Sequence, residues 1–187
     1  AAIREPVQQQ EAGETPKLPT PEELEELHAT VGSVFIHVDD IFDLDDPREN
    51  RLLYRWANRL HLRTRDSTVQ EQLLIKTGDP YSAQKAEETA RLLRQRDYLS
   101  AAEVIPTAYD PDSNRVDLMV RVRDVWTLEP GVGFGRTGGE NKSRIKLADE
   151  NFLGLGQKLA LEYKSNVDRS GIGIQFTDPN VFHSWWG

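Results

Sequence analysis

The stretch from Val116 to Arg123 reads VDLMVRVR, and apolar side chains occupy every second position of it. This period of two predicts a β-strand that packs one face on a core and turns the other toward water. Residues 110–114, DPDSN, are turn formers, and residues 101–109 precede them as a second extended segment. The sequence therefore predicts a β-hairpin from residue 101 to about residue 125.

Upstream of the hairpin, the pattern predicts one more strand and then three helices. The strand begins at Ser33, with Val34, Ile36 and Val38 on its apolar face. Capping residues predict a helix near 47–61, a second helix from Ser67 and a third from Ser82. The third helix carries a narrow stripe suited to lying on a sheet, made of Ala83, Ala86, Ala90 and Leu93. Residues 33–126 are thus predicted to form an α+β domain in the order strand, helices, strand, strand.

The composition changes on both sides of this domain. Residues 1–32 have few large apolar side chains before a short helix at about 21–29, so we interpret them as a flexible arm with that helix. Residues 127–187 are rich in glycine and contain four alternating segments, a pattern typical of a membrane barrel wall and equally of the edge of a soluble β-sandwich. Because the smallest barrels have about eight strands, four strands cannot close a barrel, and on either interpretation residues 127–187 are predicted to be part of an incomplete fold.

Composition excludes several classes of protein. The 187 residues carry a net charge of −8, which argues against nucleic acid as a partner because phosphate binding needs a basic surface. There is no cysteine, which excludes a disulfide scaffold, a zinc–thiolate site and a thiol nucleophile. No apolar run approaches the roughly 18 residues of a membrane-spanning helix.

The sequence predicts no catalytic residue, no cofactor and no metal. Residues 133–138, GFGRTG, match the letters of a dinucleotide fingerprint, but the required helix does not follow them. The acidic cluster between Asp39 and Asp46 lacks the spacing of a calcium loop. The four histidines have neither a metal-binding spacing nor a recognisable nucleophile partner. We therefore expect that the chain is not an enzyme.

Four arginines of the helix near 47–61 form a candidate contact surface. They are spaced three, four and four residues apart, so a helix would place them on one face: Arg48, Arg51, Arg55 and Arg59. One interpretation is a solvated face with local ion pairs. The other is contact with anionic head groups or an acidic partner, and both stay open at this point.

Several motifs together resemble the BamA/TamA-type family of outer-membrane proteins. Residues 73–82, LLIKTGDPYS, followed by a helix, by Asp97-Tyr98-Leu99 and by the hairpin, are similar to a POTRA domain. Residues 151–156, NFLGLG, and 177–182, TDPNVF, resemble strand connections at the start of barrels in that family. The segment from Asp40 to Leu62 departs from the POTRA pattern as an insertion of about twenty residues.

The resemblance implies a periplasmic POTRA domain attached to an outer-membrane barrel that inserts or secretes polypeptides. It also implies that residues 127–187 are the first antiparallel strands of that barrel, which is incomplete. The implied partners are an unfolded or extended polypeptide client, outer-membrane lipid and periplasmic accessory proteins. A client would add a strand to an open sheet edge. We expect that edge at the first strand, because Pro106 removes a donor from the other edge; its residues are Val34, Phe35, Ile36, His37 and Val38. Two alternatives are an export anchor for an enzymatic passenger and a non-catalytic periplasmic interaction module.

Overall fold

The computed structural model describes residues 18–179, apart from the side chains of Thr137 and Glu140. Most of the predicted arm, the end of the 177–182 motif and His183 lie outside the described residues. The elements in chain order are α1 (Pro21–Glu26), β1 (Thr30–Asp39), α2 (Leu52–Leu60), α3 (Asp66–Gln70), α4 (Ala83–Arg94), β2 (Leu99–Asp110), β3 (Arg115–Asp124), β4 (Leu128–Thr137), β5 (Glu140–Phe152), β6 (Gln157–Ser165) and β7 (Ser170–Thr177).

The first sheet has three strands in the order β1-β3-β2. The central strand β3 runs parallel to β1 and antiparallel to β2. Its apolar side chains are fully buried, as the alternation predicted: Val116, Leu118, Val120 and Val122. The α4 helix begins after Ser82, whose hydroxyl caps the Lys85 amide, and it buries Ala86, Ala90 and Leu93. The α+β class predicted from the sequence is confirmed.

Helix α1 belongs to the folded domain rather than to an arm. Thr20 and Glu23 cap one another reciprocally at its first turn. Leu24 and Ala29 are fully buried in one cluster with Ile75 and Tyr81. The ordered unit therefore begins before the predicted boundary at residue 33, because Leu24 and Ala29 close one end of the apolar core.

Helix α2 begins later than the capping residues predicted, and helix α3 ends sooner. The Asp46 carboxylate accepts the Arg48 amide hydrogen and closes a turn, and Arg51 is extended, so α2 starts at Leu52 instead of residue 47. Helix α3 starts after Arg65 without a side-chain cap and has only five residues. In both places, a polar side chain that resembled a helix cap was not used as one.

The second sheet is an antiparallel meander, β4-β5-β6-β7, which contains the four predicted strands. Its registers align whole rows of side chains across the sheet. Two rows on one face are apolar: Val132, Ile145, Tyr163 and Ile172, and then Pro130, Leu147, Leu161 and Ile174. The row between them, on the opposite face, is Gly131, Lys146, Glu162 and Gly173.

The two faces of this second sheet differ in chemistry as the sequence predicted. On the polar face, Glu162 pairs with Arg144 at 2.5 Å and with Lys164 at 2.6 Å. The side chains of the apolar rows are largely exposed, and residues 18–179 contain no closed barrel. No helix among the described residues has the length and apolar character needed to cross a membrane.

Candidate functional site: an open sheet edge and a buried junction

Strand β1 lies at one edge of the first sheet, and its two ends are already occupied. Near its start, the Val31 amide donates to the Asp79 carbonyl, and the Val31 carbonyl accepts from the Gly78 amide. Near its end, the Arg63 guanidinium donates to the Val38 carbonyl. Between these contacts, residues 34–37 pair only with β3 among the residues that the structure describes. The open part of β1 is therefore about four residues long.

The two faces of this edge differ. Val34 and Ile36 are partly buried and pack against the core clusters, whereas Phe35 is 50% exposed on the face without helices. The register places Phe35 opposite Met119, and Met119 opposite Ile105, which is 41% exposed. An apolar row thus crosses the water-facing side of the sheet from one edge strand to the other.

The next row is charged. Arg121 donates from Nε to Asp39 at 2.7 Å, and the His37 Nε2 atom lies 3.2 Å from the same carboxylate. The hydrogen bond from Arg121 lowers the pKa of Asp39, and the nearby charges of Arg121, His37 and Arg123 act in the same direction. Asp39 therefore stays ionised at the end of the open edge.

The other edge strand, β2, is longer but interrupted. It contains Pro106, which has no amide hydrogen, and a register shift follows between Pro106 and Ala108. The Arg94 guanidinium donates to the Ala102 carbonyl at 2.7 Å. Strand β2 is thus an edge strand, as the prediction about Pro106 assumed, and Pro106 removes one backbone donor from it.

The arginines predicted to form one helical face are split between three settings. Arg48 lies in the turn before α2 and pairs with Asp46 at 3.4 Å, and Arg51 is the N-cap residue. Only Arg55 and Arg59 are helical, and Arg55 donates to the Asn50 side chain. The prediction of one continuous helical stripe is wrong because α2 starts five residues late, although these arginines are exposed.

A buried polar network joins the two sheets, and sequence reasoning missed it. Asp124 is fully buried and accepts from His61 Nε2 at 2.8 Å, from the Thr64 amide at 2.8 Å and from the Thr64 hydroxyl at 2.6 Å. The Thr64 hydroxyl in turn accepts from Asn151 Nδ2 at 2.7 Å. Asn151 Oδ1 accepts from the Gly156 amide at 2.7 Å. One chain of hydrogen bonds therefore runs from β3 into the β5–β6 turn.

Backbone groups of the β5–β6 turn complete this junction. The Gly154 carbonyl accepts from the Arg65 amide and from the Thr68 hydroxyl, both at 2.9 Å. The Leu153 carbonyl accepts from Arg65 Nε at 3.0 Å. The only sequence signal for this contact was the NFLGLG motif, which we interpreted as a strand connection, whereas His61 had no recognisable partner.

Comparison with known proteins agrees with this architecture. The POTRA family model, described as "Surface antigen variable number repeat", matches residues 60–124, which begin after β1 and most of the insertion. A curated relative, the outer membrane protein assembly factor BamA of Buchnera aphidicola, is 22% identical over 123 residues, which is 65% of this chain and 20% of the relative. This chain thus spans only a fifth of that protein.

Two solved structures are also similar. BamA from Haemophilus ducreyi lacking POTRA domains 1–3 has a TM-score of 0.52 at 19% identity, covering 79% of this chain and 25% of that one. CdiB from Acinetobacter baumannii has a TM-score of 0.45 at 12% identity, covering 80% of this chain and 26% of that one.

Proposed function

Because this chain is of the BamA/TamA type, with a POTRA domain followed by strands like those of an outer-membrane barrel, we propose that it inserts or secretes polypeptides at the outer membrane. The relatives point to the outer membrane as its location, with the POTRA domain in the periplasm. The observation that carries the proposal is the exposed two-row apolar face of β4–β7, which adjoins a domain with an open sheet edge. A sheet with one apolar and one polar face suits a barrel wall, in which the apolar face contacts lipid and the polar face lines the interior.

The proposed client is an unfolded or extended polypeptide that adds a strand to β1. Residues 34–37 offer backbone groups without a second neighbour, and Val38 marks the covered end. Backbone pairing depends little on the client's sequence, while Phe35 and the row behind it favour an apolar client side chain on the water-facing side. This role requires no catalytic residue, and accessory periplasmic proteins are proposed as further partners.

We place the client on β1 rather than β2 because backbone regularity decides how well a strand is added. The open part of β1 is short but regular in register from Val34 to Asp39. The β2 edge loses one donor at Pro106 and shifts register directly afterwards. Phe35 and Ile105 occupy equivalent exposed positions on the two edges, which makes them a matched pair for mutation.

An amide NMR titration of the chain in detergent micelles with an extended amphipathic peptide tests this proposal. We expect signals of residues 34–37 to shift, and we expect Phe35→Lys to weaken peptide binding by about tenfold, because a lysine at a strand edge opposes pairing. The matched variant Ile105→Lys should bind the peptide like the parent chain. Chemical-shift changes confined to β2 would contradict the assignment of the client to β1. Unchanged amide signals at both edges would contradict strand addition altogether.

The arginines beside α2 are proposed to contact an anionic surface. Arg48, Arg51, Arg55 and Arg59 remain exposed although they do not share one helical face. The alternatives of an export anchor for an enzymatic passenger and of a simple interaction module gain no support from a specific observation in residues 18–179.

A further inference from the structure

Helix α2 packs on the rest of the insertion with its polar side. The Asn58 amide group exchanges two hydrogen bonds with the backbone of Phe42, at 3.1 and 2.8 Å. The Tyr54 ring stacks on the Phe42 ring with centroids 4.1 Å apart. Tyr54 and Asn58 are one helical turn apart, so they define the side of α2 that faces the protein.

The opposite side of α2 is apolar and open. Four large side chains lie on it at helical spacing, and their exposed fractions are 73% for Leu52, 73% for Leu53, 54% for Trp56 and 66% for Leu60. No residue of α2 is buried. An amphipathic helix of a soluble domain normally turns its apolar face toward the core, and here the arrangement is reversed.

The charges around α2 are arranged for an anionic surface. Arg55 and Arg59 lie along one border of the apolar face, and Arg51 stands at the amino end of the helix. The acidic side chains of the insertion all precede the helix in the 40–49 segment: Asp40, Asp43, Asp45, Asp46 and Glu49. Some of their charge is taken up locally, since Asp46 pairs with Arg48 and Asp40 with Arg63.

The junction holds the residues that follow α2 against the second sheet. Shortly after α2, Thr64 hydrogen-bonds to Asn151 at the end of β5, and Arg65 donates to the Leu153 and Gly154 carbonyls of the β5–β6 turn. That turn is at the end of the second sheet next to the POTRA domain, where the strands with the apolar face begin and end. The open face of α2 is therefore tethered close to the place where the sheet would enter lipid.

We propose that α2 is an interfacial membrane anchor, which lays its leucines and Trp56 into the boundary between head groups and acyl chains of an anionic phospholipid leaflet. Arg51, Arg55 and Arg59 would bind the head-group phosphates. Tryptophan is favoured at this depth because its ring is apolar and its N–H group is polar. This inference rests on the proposed function at the outer membrane.

A spin-label depth measurement tests the anchor. The chain has no cysteine, so Leu53→Cys gives one labelling site on the apolar face, and Glu87→Cys gives an exposed control on α4. The labelled chain is bound to phosphatidylcholine vesicles with and without phosphatidylglycerol. With phosphatidylglycerol, we expect the Leu53 label to become accessible to oxygen and shielded from a water-soluble nickel complex, while the Glu87 label stays in water.

Two double variants separate the contribution of the basic side chains from that of the apolar side chains. Arg55→Gln with Arg59→Gln should reduce the partition coefficient of the Leu53-labelled helix into anionic vesicles by about thirtyfold, since two basic residues near an anionic surface together contribute about 2 kcal/mol. Leu52→Ser with Trp56→Ser should reduce it by about tenfold or more. All four side chains are exposed, so circular dichroism should be unchanged in both variants.

Three results would overturn the anchor. The first is a Leu53 label that stays in water although the chain is bound to vesicles. The second is a Leu53 label that inserts equally well into vesicles without phosphatidylglycerol. The third is shielding of the Leu53 label that grows with protein concentration in the absence of lipid, which would indicate that a second copy of the chain covers α2. The peptide titration is repeated on the same chain. If the peptide does not bind β1 but the Leu53 label inserts into lipid, only the client proposal is contradicted. If the peptide binds β1 but the Leu53 label stays in water, only the anchor is contradicted.

Discussion

At the scale of single residues, the ion pair beside the open edge controls the charge of Asp39. Arg121 donates two hydrogen bonds to this carboxylate, at 2.7 and 3.3 Å, and holds its pKa below the ordinary value. We predict that Arg121→Gln raises the pKa of Asp39 toward that of an ordinary aspartate. The measurement is an NMR titration of the Asp39 side-chain carboxyl carbon. Arg123→Gln is the control and should raise the pKa less, because Arg123 acts only through its charge.

The same shift has a consequence for stability with a defined sign. A carboxylate whose pKa is lowered by folding stabilises the folded state above its unfolded pKa, and this stabilisation is lost as the pH falls through the folded pKa. The parent chain should therefore have a slightly larger unfolding free energy than Arg121→Gln at neutral pH, and the difference should be small because the pair is partly exposed. The difference should shrink in acid. A pKa of Asp39 that does not change in Arg121→Gln would contradict both expectations.

Single residues also mark where sequence reasoning reached its limit. Val116, Leu118, Val120 and Val122 could be assigned to the core because alternation is a local rule. His61 could be identified but not paired, since its partner Asp124 is 63 residues away in the chain. No spacing rule links such residues, and only the parallel pairing of β1 with β3 and the path of the insertion bring them within 2.8 Å.

At the scale of elements, prediction succeeded where local chemistry has no competitor. Ser82 caps α4 as expected, and the DPDSN turn joins β2 to β3. It failed at the start of α2, where Asp46 caps a separate turn, and at α3, where Ser67 lies inside the helix rather than at its cap. Both failures occur in the segment between β1 and α4, which is held by contacts with distant strands.

The β5–β6 turn is the element on which the junction depends most, and a pair of glycines tests it. Gly154 and Gly78 both adopt left-handed backbone conformations, with φ of 73° and 91°. A Cβ on Gly154 would overlap the Arg63 carbonyl group, whereas a Cβ on Gly78 meets nothing within 4 Å. We predict that Gly154→Ala lowers the unfolding free energy by about 3 kcal/mol, through the clash and the backbone strain together. Gly78→Ala should cost about 1 kcal/mol through strain alone.

Urea denaturation of the chain in detergent micelles measures both variants. The quantity of interest is their difference, because the left-handed backbone strain is common to the two positions. Equal losses of unfolding free energy would mean that the Gly154 turn is not held against Arg63 as the structure has it.

At the scale of the whole molecule, polar contacts couple the two sheets in the part of the chain that the structure describes. The hydrophobic clusters lie in the first domain, whereas Asp124, Thr64 and Asn151 connect it to the second sheet. Buried hydrogen bonds fix geometry more strictly than apolar contacts, because an unpaired buried polar group costs about 1–3 kcal/mol. A membrane anchor on α2 and a strand-adding edge on β1 would therefore keep a fixed position relative to the second sheet.

This coupling predicts a distance distribution. Spin labels at Glu87→Cys on α4 and Asp168→Cys in the β6–β7 turn report the relation between the two units, and double electron–electron resonance should give one narrow peak for the parent chain. Asn151→Ala with Thr68→Ala removes hydrogen bonds to Thr64, Gly156 and Gly154, and should broaden the peak. Asn141→Ala, an exposed amide far from the junction, should leave it narrow. A peak that stays narrow in the double variant would show that the remaining Arg65 contacts to the turn suffice, and that the buried network does not set the orientation.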